Sequence, residues 1–265
     1  MWNGYREQSA RLALMRRYAA ILTASEHMRC EFLNHGFAPD RVRALSLPLA
    51  AAGPAPARSD ESANAMPADD RPVRLLYVGR MTRLKGGPIM LDAAALAAAS
   101  LGRPLEITFV GDGPDRTRWE QKSRRLQAEN TNLRIKFIGV LNPADLDRVM
   151  GGAHLVVVPS TWPEPFGLVG PEAGLRGLPA AAFAVGGIPE WLSDGVNGRL
   201  SPGDPPTAAG LARAIVECVR DPAELARLRS GARERSMRFN LGAHVDAVLA
   251  IFASVIGANA PVPTA

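Results

Sequence analysis

Two carboxylates stand eight positions apart in the stretch STWPEPFGLVGPEAG, which runs from Ser160 to Gly174. They are Glu164 and Glu172, with Phe166 and Gly167 between them. The preceding run HLVVVPS (154–160) reads as a buried strand, and residues 168–176 read as a helix. That places Glu164 in a loop and Glu172 one turn into the helix. Gly167 lets the backbone come close to a ligand, and Pro171 is tolerated because it falls in the first helical turn. Free N–H groups at the helix start favour an anion such as a phosphate. A carboxylate at Glu164 could accept hydrogen bonds from sugar hydroxyls, and one at Glu172 could accept them from a ribose diol. Each also has a plainer reading. Taken alone, Glu164 reads as a solvated loop acid. Glu172 reads equally as an acid stabilising a helix N-terminus, worth roughly 0.3–1 kcal/mol.

A second group of residues could meet the same ligand. In YVGRMTRLKGG (77–87), Arg80 and Lys85 follow a strand that ends at Gly79 and flank a loop opening a helix. Two cations and the pair Gly86-Gly87 at a helix start suit a diphosphate, through charge-assisted bonds and backbone amides. On their own they read as surface basic residues. The segment VGDGPDR (110–116) has half of a dinucleotide fingerprint, but Arg116 stands where a third glycine is needed, so it reads as a tight strand-to-helix turn. His27 and His35 fall on a surface helix, His154 starts a strand and His244 lies on the last helix. None has a neighbouring nucleophile or metal-ligand spacing, so no catalytic histidine and no metal site are assigned.

The elements that position these residues alternate along the chain. Strands are predicted at 73–78, 105–110, 134–139, 154–160 and 178–183. Helices are predicted at 86–100, 114–128, 143–150, 168–176 and, briefly, 188–192. This is the pattern of a parallel sheet covered by helices on both faces, an α/β Rossmann-like architecture. Ligands in such sheets sit at the carboxyl ends of the strands, and Gly79, Arg80, Gly111 to Gly113 and Glu164 to Gly167 all follow strands. Residues 206–237 form one or two surface helices broken near Asp221-Pro222. The last helix, 241–256, carries an apolar stripe of Leu241, Val245, Val248, Phe252 and Val255 that needs a partner surface.

The front of the chain is different. Helices at 5–18 and 24–35 and strands at 19–24 and 41–47 make a poor core by themselves. The aperiodic, Pro/Ala-rich segment 48–72 reads as a linker. The division expected is 1–47, linker 48–72, main domain 73–237, a C-terminal helix 238–256 and a tail 257–265.

Composition narrows the partners. With 265 residues, 47% hydrophobic and 22% charged, the chain is globular. The net charge of +5 rests on arginine, with lysine only at 85, 122 and 136. No basic block or aromatic-basic motif points to nucleic acid. Attraction to anionic lipid or phosphorylated ligands is compatible with the charge. Cys30 and Cys218 form no framework and suit a reducing cytoplasm. Arginines at 11, 16 and 17 break any leader-like apolar core, and AVLAIFASVIGA is too short to span a bilayer. A cytoplasmic chain, with peripheral contact to the inner face of the membrane left open, is expected.

In combination, YVGRMTRLKG, ITFVGDGP, IKFIGVL, HLVVVPSTWPEPFGLVGPEAG and GLPAAAFAVGGIPEWLSDGVNGRL, followed by a helical segment, resemble the donor half of retaining glycosyltransferases of family 4. These are glycosyl transferases group 1, with the GT-B fold. The resemblance is good over 73–237 and weak over 19–47. It implies that Arg80 and Lys85 hold the donor diphosphate and stabilise its developing charge. It implies that Glu164 contacts donor-sugar hydroxyls and that Glu172 contacts the nucleotide ribose. Gly79 and the backbone of Phe166, Gly167, Leu168 and Val169 complete the donor site. The family works without a bound metal or other cofactor. Its retention of configuration is explained by front-face attack, with the leaving phosphate taking the acceptor proton.

A GT-B enzyme has an acceptor domain before the donor domain, and here only its last two strand–helix units are expected, at 1–47. Three readings follow: a fragment of a full glycosyltransferase, a half-enzyme completed by a separate acceptor-domain chain, or a non-enzymatic nucleotide-sugar-binding module. A GT-B sugar epimerase is a further alternative, disfavoured by the E-x7-E element. The base, sugar and acceptor are not fixed by these motifs.

Overall fold

The computed structural model describes residues 2–49 and 71–258. The first unit holds α1 (Trp2–Met15), β1 (Ile21–Thr23), α2 (Glu26–Asn34) and β2 (Val42–Ala44). The second begins with β3 (Val73–Val78), a 3-10 turn (Arg83–Lys85), α3 (Gly87–Leu101), β4 (Leu105–Val110), α4 (Arg116–Glu129), β5 (Leu133–Gly139) and α5 (Pro143–Gly152). It continues with β6 (Leu155–Val158), α6 (Val169–Leu175), β7 (Ala180–Phe183), α7 (Ile188–Trp191), β8 (Gly198–Ser201), α8 (Ala208–Val219) and α9 (Pro222–Ser236). α10 (Leu241–Ala258) follows. Most of the linker 48–72 and of the tail 257–265 lies outside the described residues.

Six strands form one parallel sheet in the order β5-β4-β3-β6-β7-β8. Successive side chains of a strand point to opposite faces, and the residues sort accordingly. Val73, Leu75 and Tyr77 of β3, Ile107 and Phe109 of β4, and Leu155 and Val157 of β6 join one core, which α3, α4 and α8 cover. Leu76, Val110, Val156, Val158, Ala180 and Ala182 join a second core on the other face, under α5, α6 and α7. Near-continuous apolar strands and helices on both faces are two views of the same burial.

The strand order has a consequence for function. The sheet starts at β3, builds β4 and β5 on one side, then crosses to β6, β7 and β8 on the other. β3 and β6 are therefore neighbours at the point where the winding reverses. Ligands of such sheets bind in the crevice outside the strands' carboxyl ends at a reversal of this kind, and here the loops leaving β3 and β6 meet at it. Those two loops carry Arg80, Lys85 and Glu164.

β8 was not among the strands expected from sequence. Its four residues, GRLS, include a glycine and an arginine and show no apolar run, so periodicity gives no signal. It is a strand because Ala180 to Phe183 of β7 supply a complete ladder of partners. Strand bounds otherwise depart little, with β6 at Leu155–Val158 and β7 starting at Ala180, but α8, expected on the surface, packs into the first core through Leu211, Ile215 and Val219.

The N-terminal unit has a two-stranded parallel sheet and a small core of Ile21, Phe37 and Val42, with Met15, Phe32 and Leu33 against it. It docks on the larger unit through a few bonds. The Glu26 amide donates to Glu190 Oε1 (2.8 Å), and the Leu49 amide donates to Phe239 O (2.7 Å). α10 returns to this unit, with Arg43 donating to Ser254 Oγ (3.1 Å) and His244 Nδ1 3.0 Å from Ser46 O. The apolar stripe of α10 is divided by this contact. Val248 and Val255 are partly covered, whereas Leu241, Val245, Leu249, Phe252 and Ile256 are exposed, Ile256 by 71%. The open stripe is thus turned slightly from the one expected, because the N-terminal unit covers the adjacent edge.

Candidate active site

The loop after β3 is fixed from inside. The buried Tyr77 donates its hydroxyl to Arg80 O (2.9 Å), and Met81 exchanges backbone bonds with Asp112 and Asp115 in the neighbouring loop. Arg80 itself is exposed, and its guanidinium has no partner among the described residues. The 3-10 turn Arg83–Lys85 then ends at Gly86, which adopts φ +71°. A Cβ on Gly86 would lie 1.7 Å from Pro159 O in the loop after β6. A Cβ on Gly87 would enter the ring of Trp119. Both glycines are accounted for by packing: Gly86 lets the β3 and β6 loops press together, and Gly87 lets α3 approach Trp119 of α4. The Thr161 amide adds a bond to Leu84 O (2.9 Å).

Glu164 is where this packing leads. Lys85 Nζ lies 2.5 Å from Glu164 Oε1, and the Ser160 hydroxyl donates to the same oxygen. Glu164 is 8% exposed, so it is not the solvated loop acid that its residue type suggests in isolation. Its backbone is pinned as well, since its carbonyl accepts from the Gly187 amide (2.7 Å). The negative charge is felt nearby: burial first, and then Glu164, push the Tyr77 phenol well above its ordinary range. Ser160 carries no signal in the sequence. It lies four positions before Glu164 in an irregular loop, where no periodicity says which side chains meet.

The segment after Glu164 approaches the same rim. Phe166 is buried against Phe239, ring centroids 5.3 Å apart, and its carbonyl accepts from the Trp191 indole (2.7 Å). Gly167 has φ +88° with room around it, so the backbone conformation itself requires glycine there. The amides of Leu168 and Val169 have no acceptor among the described residues. Glu172 is half-buried, and its carboxylate has no partner among the described residues. Its carbonyl is held by Arg176, which also pairs with Asp147. The arrangement thus offers cations, open amides and an open carboxylate on one rim, beside a carboxylate that is already engaged.

Other candidates lie elsewhere. His154 is fully buried at the amino end of β6, away from this rim, and its Nδ1 accepts from the Arg74 amide (2.9 Å). Burial, reinforced by Arg74, Arg229 and Arg103, holds its imidazole down to about 3. Cys30 is exposed and Cys218 buried, both as free thiols. Among the described residues, no group of three or more His, Cys, Asp or Glu is placed to hold a metal.

Comparison with known proteins supplies the context. The family model described as glycosyl transferases group 1 matches residues 59–235. D-inositol 3-phosphate glycosyltransferase 1 of Catenulispora acidiphila is 38% identical over 198 residues, covering 69% of this chain and 44% of that protein. The 2-deoxystreptamine glucosyltransferase of Streptomyces kanamyceticus is 31% identical over 252 residues, covering 92% and 62%. Among solved structures, Anabaena HepE in complex with UDP-glucose superposes with a TM-score of 0.75 at 26% identity, covering 93% of this chain and 67% of that one. The structural neighbours are GT-B glycosyltransferases. The chain spans about half the length of the first curated relatives it matches.

Proposed function

This chain belongs to the glycosyl transferases group 1 family, and on that premise we propose that it supplies the donor site of a retaining glycosyltransferase of family 4. The donor is a nucleotide-diphospho-sugar. The observation that carries the reading is the Lys85–Glu164 pair, which joins the β3 and β6 loops where the sheet reverses, with Arg80 on the same β3 loop. Arg80 and Lys85 take the diphosphate, Glu164 the sugar hydroxyls and Glu172 the ribose diol. Gly79 and the backbone of Phe166 to Val169 line the cleft.

Catalysis on this reading is electrostatic. As the bond between the sugar and the diphosphate breaks, charge grows on the leaving phosphate, and Arg80 and Lys85 stabilise it where it forms. The acceptor hydroxyl attacks from the same face and gives its proton to that phosphate. The configuration is retained, and the chain needs neither a metal, nor another cofactor, nor an enzymic nucleophile. UDP-glucose is the first donor to test, because HepE was solved with it.

The acceptor half lies in a second GT-B domain. Residues 1–47 belong to that domain, and a partner chain completes it. The exposed stripe on α10 favours such a partner, since five large apolar side chains on one helix face are costly to leave in water. The protein works in the cytoplasm, with peripheral contact at the inner face of the membrane if its acceptor is a lipid. Without its acceptor half, the chain acts as a nucleotide-sugar-binding module.

A thermal-shift series with UDP, GDP, ADP and their glucose conjugates tests this reading. A ligand that binds only the folded state raises the melting temperature by mass action. One nucleotide and its conjugate should do so at millimolar concentration. No shift with any of them would remove the reading.

A further inference from the structure

We propose that Ser160 is a positioning residue that holds Glu164 in place when Lys85 leaves it for the donor diphosphate. The inference rests on the donor-site reading above and adds a residue and a step to it.

Lys85 and Ser160 meet the same oxygen, Glu164 Oε1, and among the described residues Oε2 accepts from neither. The two donors differ in what they can do next. Lys85 is an ammonium on a long flexible stem, with its side chain 37% exposed. A diphosphate in the crevice offers it more negative charge than one carboxylate does. Ser160 is 2% exposed and stands just past Pro159 at the end of β6, with its loop bonded to the β3 loop at Thr161 and Leu84. Among the described residues its hydroxyl has no partner besides Glu164.

Once Lys85 has moved, Glu164 without Ser160 would be a nearly buried carboxylate with no protein partner, which is costly. The Ser160 hydroxyl keeps one oxygen satisfied and leaves Oε2 aimed for a ligand hydroxyl. A neutral donor suits this task. It fixes the carboxylate without neutralising it, so Glu164 remains a strong acceptor for the sugar. Without Ser160, the carboxylate would keep Lys85 or rotate toward water, and the sugar would lose its partner while the nucleotide kept its own.

The test is a calorimetric titration of the full chain with UDP, GDP, ADP and the glucose conjugate of each. Ser160→Ala should bind the preferred nucleoside diphosphate within about twofold of wild type and bind its conjugate about tenfold more weakly, the weight of one hydrogen bond to a charged group. Ser160→Cys keeps a slightly larger side chain there with a poorer donor and should show the same split if the alanine variant fails to fold. In a Glu164→Ala background, Ser160→Ala should add nothing, because the serine acts through that carboxylate. Equal loss of both ligands, an additive loss in that background, or unchanged binding of the conjugate would each overturn the proposal while leaving the donor site standing. A wild-type chain that binds no nucleotide would overturn both.

Discussion

Lys85 Nζ and Glu164 Oε1 are 2.5 Å apart although 79 positions separate the residues in the chain. The contact joins the loop after β3 to the loop after β6, at the one place where the sheet reverses its winding. Cation and carboxylate are therefore held together by strand order, and local sequence has no part in it. That is the geometry a ligand with both phosphates and hydroxyls would use.

Glu172 should contribute affinity but little stability. Its carboxylate has no partner among the described residues, and Arg176 holds its carbonyl instead. Glu172→Ala is expected to weaken nucleoside diphosphate binding about tenfold and to leave the melting temperature unchanged within about 1 °C. Calorimetry and a melting curve on one preparation decide it. Unchanged affinity would remove the ribose assignment.

Gly86→Ala should damage the fold, with the site as the first casualty. The φ of +71° is strained for alanine, and the new Cβ would meet Pro159 O at 1.7 Å. Strain and overpacking together should cost at least about 2 kcal/mol. Urea denaturation measures this, and a variant as stable as wild type would show that the two loops are not pressed together.

His154 sets a pH dependence of stability. Above about pH 6.5 its imidazole is neutral in both folded and unfolded chains. As pH falls below 6.5, the unfolded chain binds a proton that the folded chain refuses until about pH 3. Stability therefore declines with falling pH, by up to about 1.4 kcal/mol per pH unit. The cause is burial among Arg74, Arg229 and Arg103. Between pH 7.5 and 5, wild type should lose about 2 kcal/mol more than His154→Asn does. Equal slopes in urea titrations would contradict the burial argument.

The α10 stripe should govern self-association. Leu249→Ser with Phe252→Ser removes two of its exposed apolar side chains, which are 58% and 57% exposed. The double variant should elute as a sharper, smaller species in size-exclusion chromatography, with a melting temperature within about 2 °C of wild type, since exposed positions add little to stability. A large drop in melting temperature would mean that this face is packed in solution.

Much of this was legible in the sequence because it is periodic. Strands such as VRLLYV and LEITFV are mostly apolar, and an apolar run can be read without knowing its neighbours. Leu241, Val245 and Phe252 were readable as one helical stripe for the same reason. β8 was not readable, because GRLS is a strand only through β7. The burial of Glu164 was not readable either. A loop acid between two prolines looks solvated until Lys85 and Ser160 are seen to close on it from a different strand and from four positions earlier. The role of Ser160 was not readable, because irregular loops carry no spacing rule. Residues Arg80, Lys85, Glu164 and Glu172 could be named only because several motifs occurred together, and the motifs say nothing of which oxygen meets which nitrogen.

The most direct measurement is a calorimetric titration of UDP, GDP and ADP into the wild-type chain and into an Arg80→Ala, Lys85→Ala double variant. The account predicts saturable binding of one nucleotide by wild type. It predicts at least a hundredfold loss in the double variant, since two charge-assisted contacts to phosphate are removed. Wild-type binding that survives both substitutions would contradict the placement of the diphosphate in the crevice between the β3 and β6 loops.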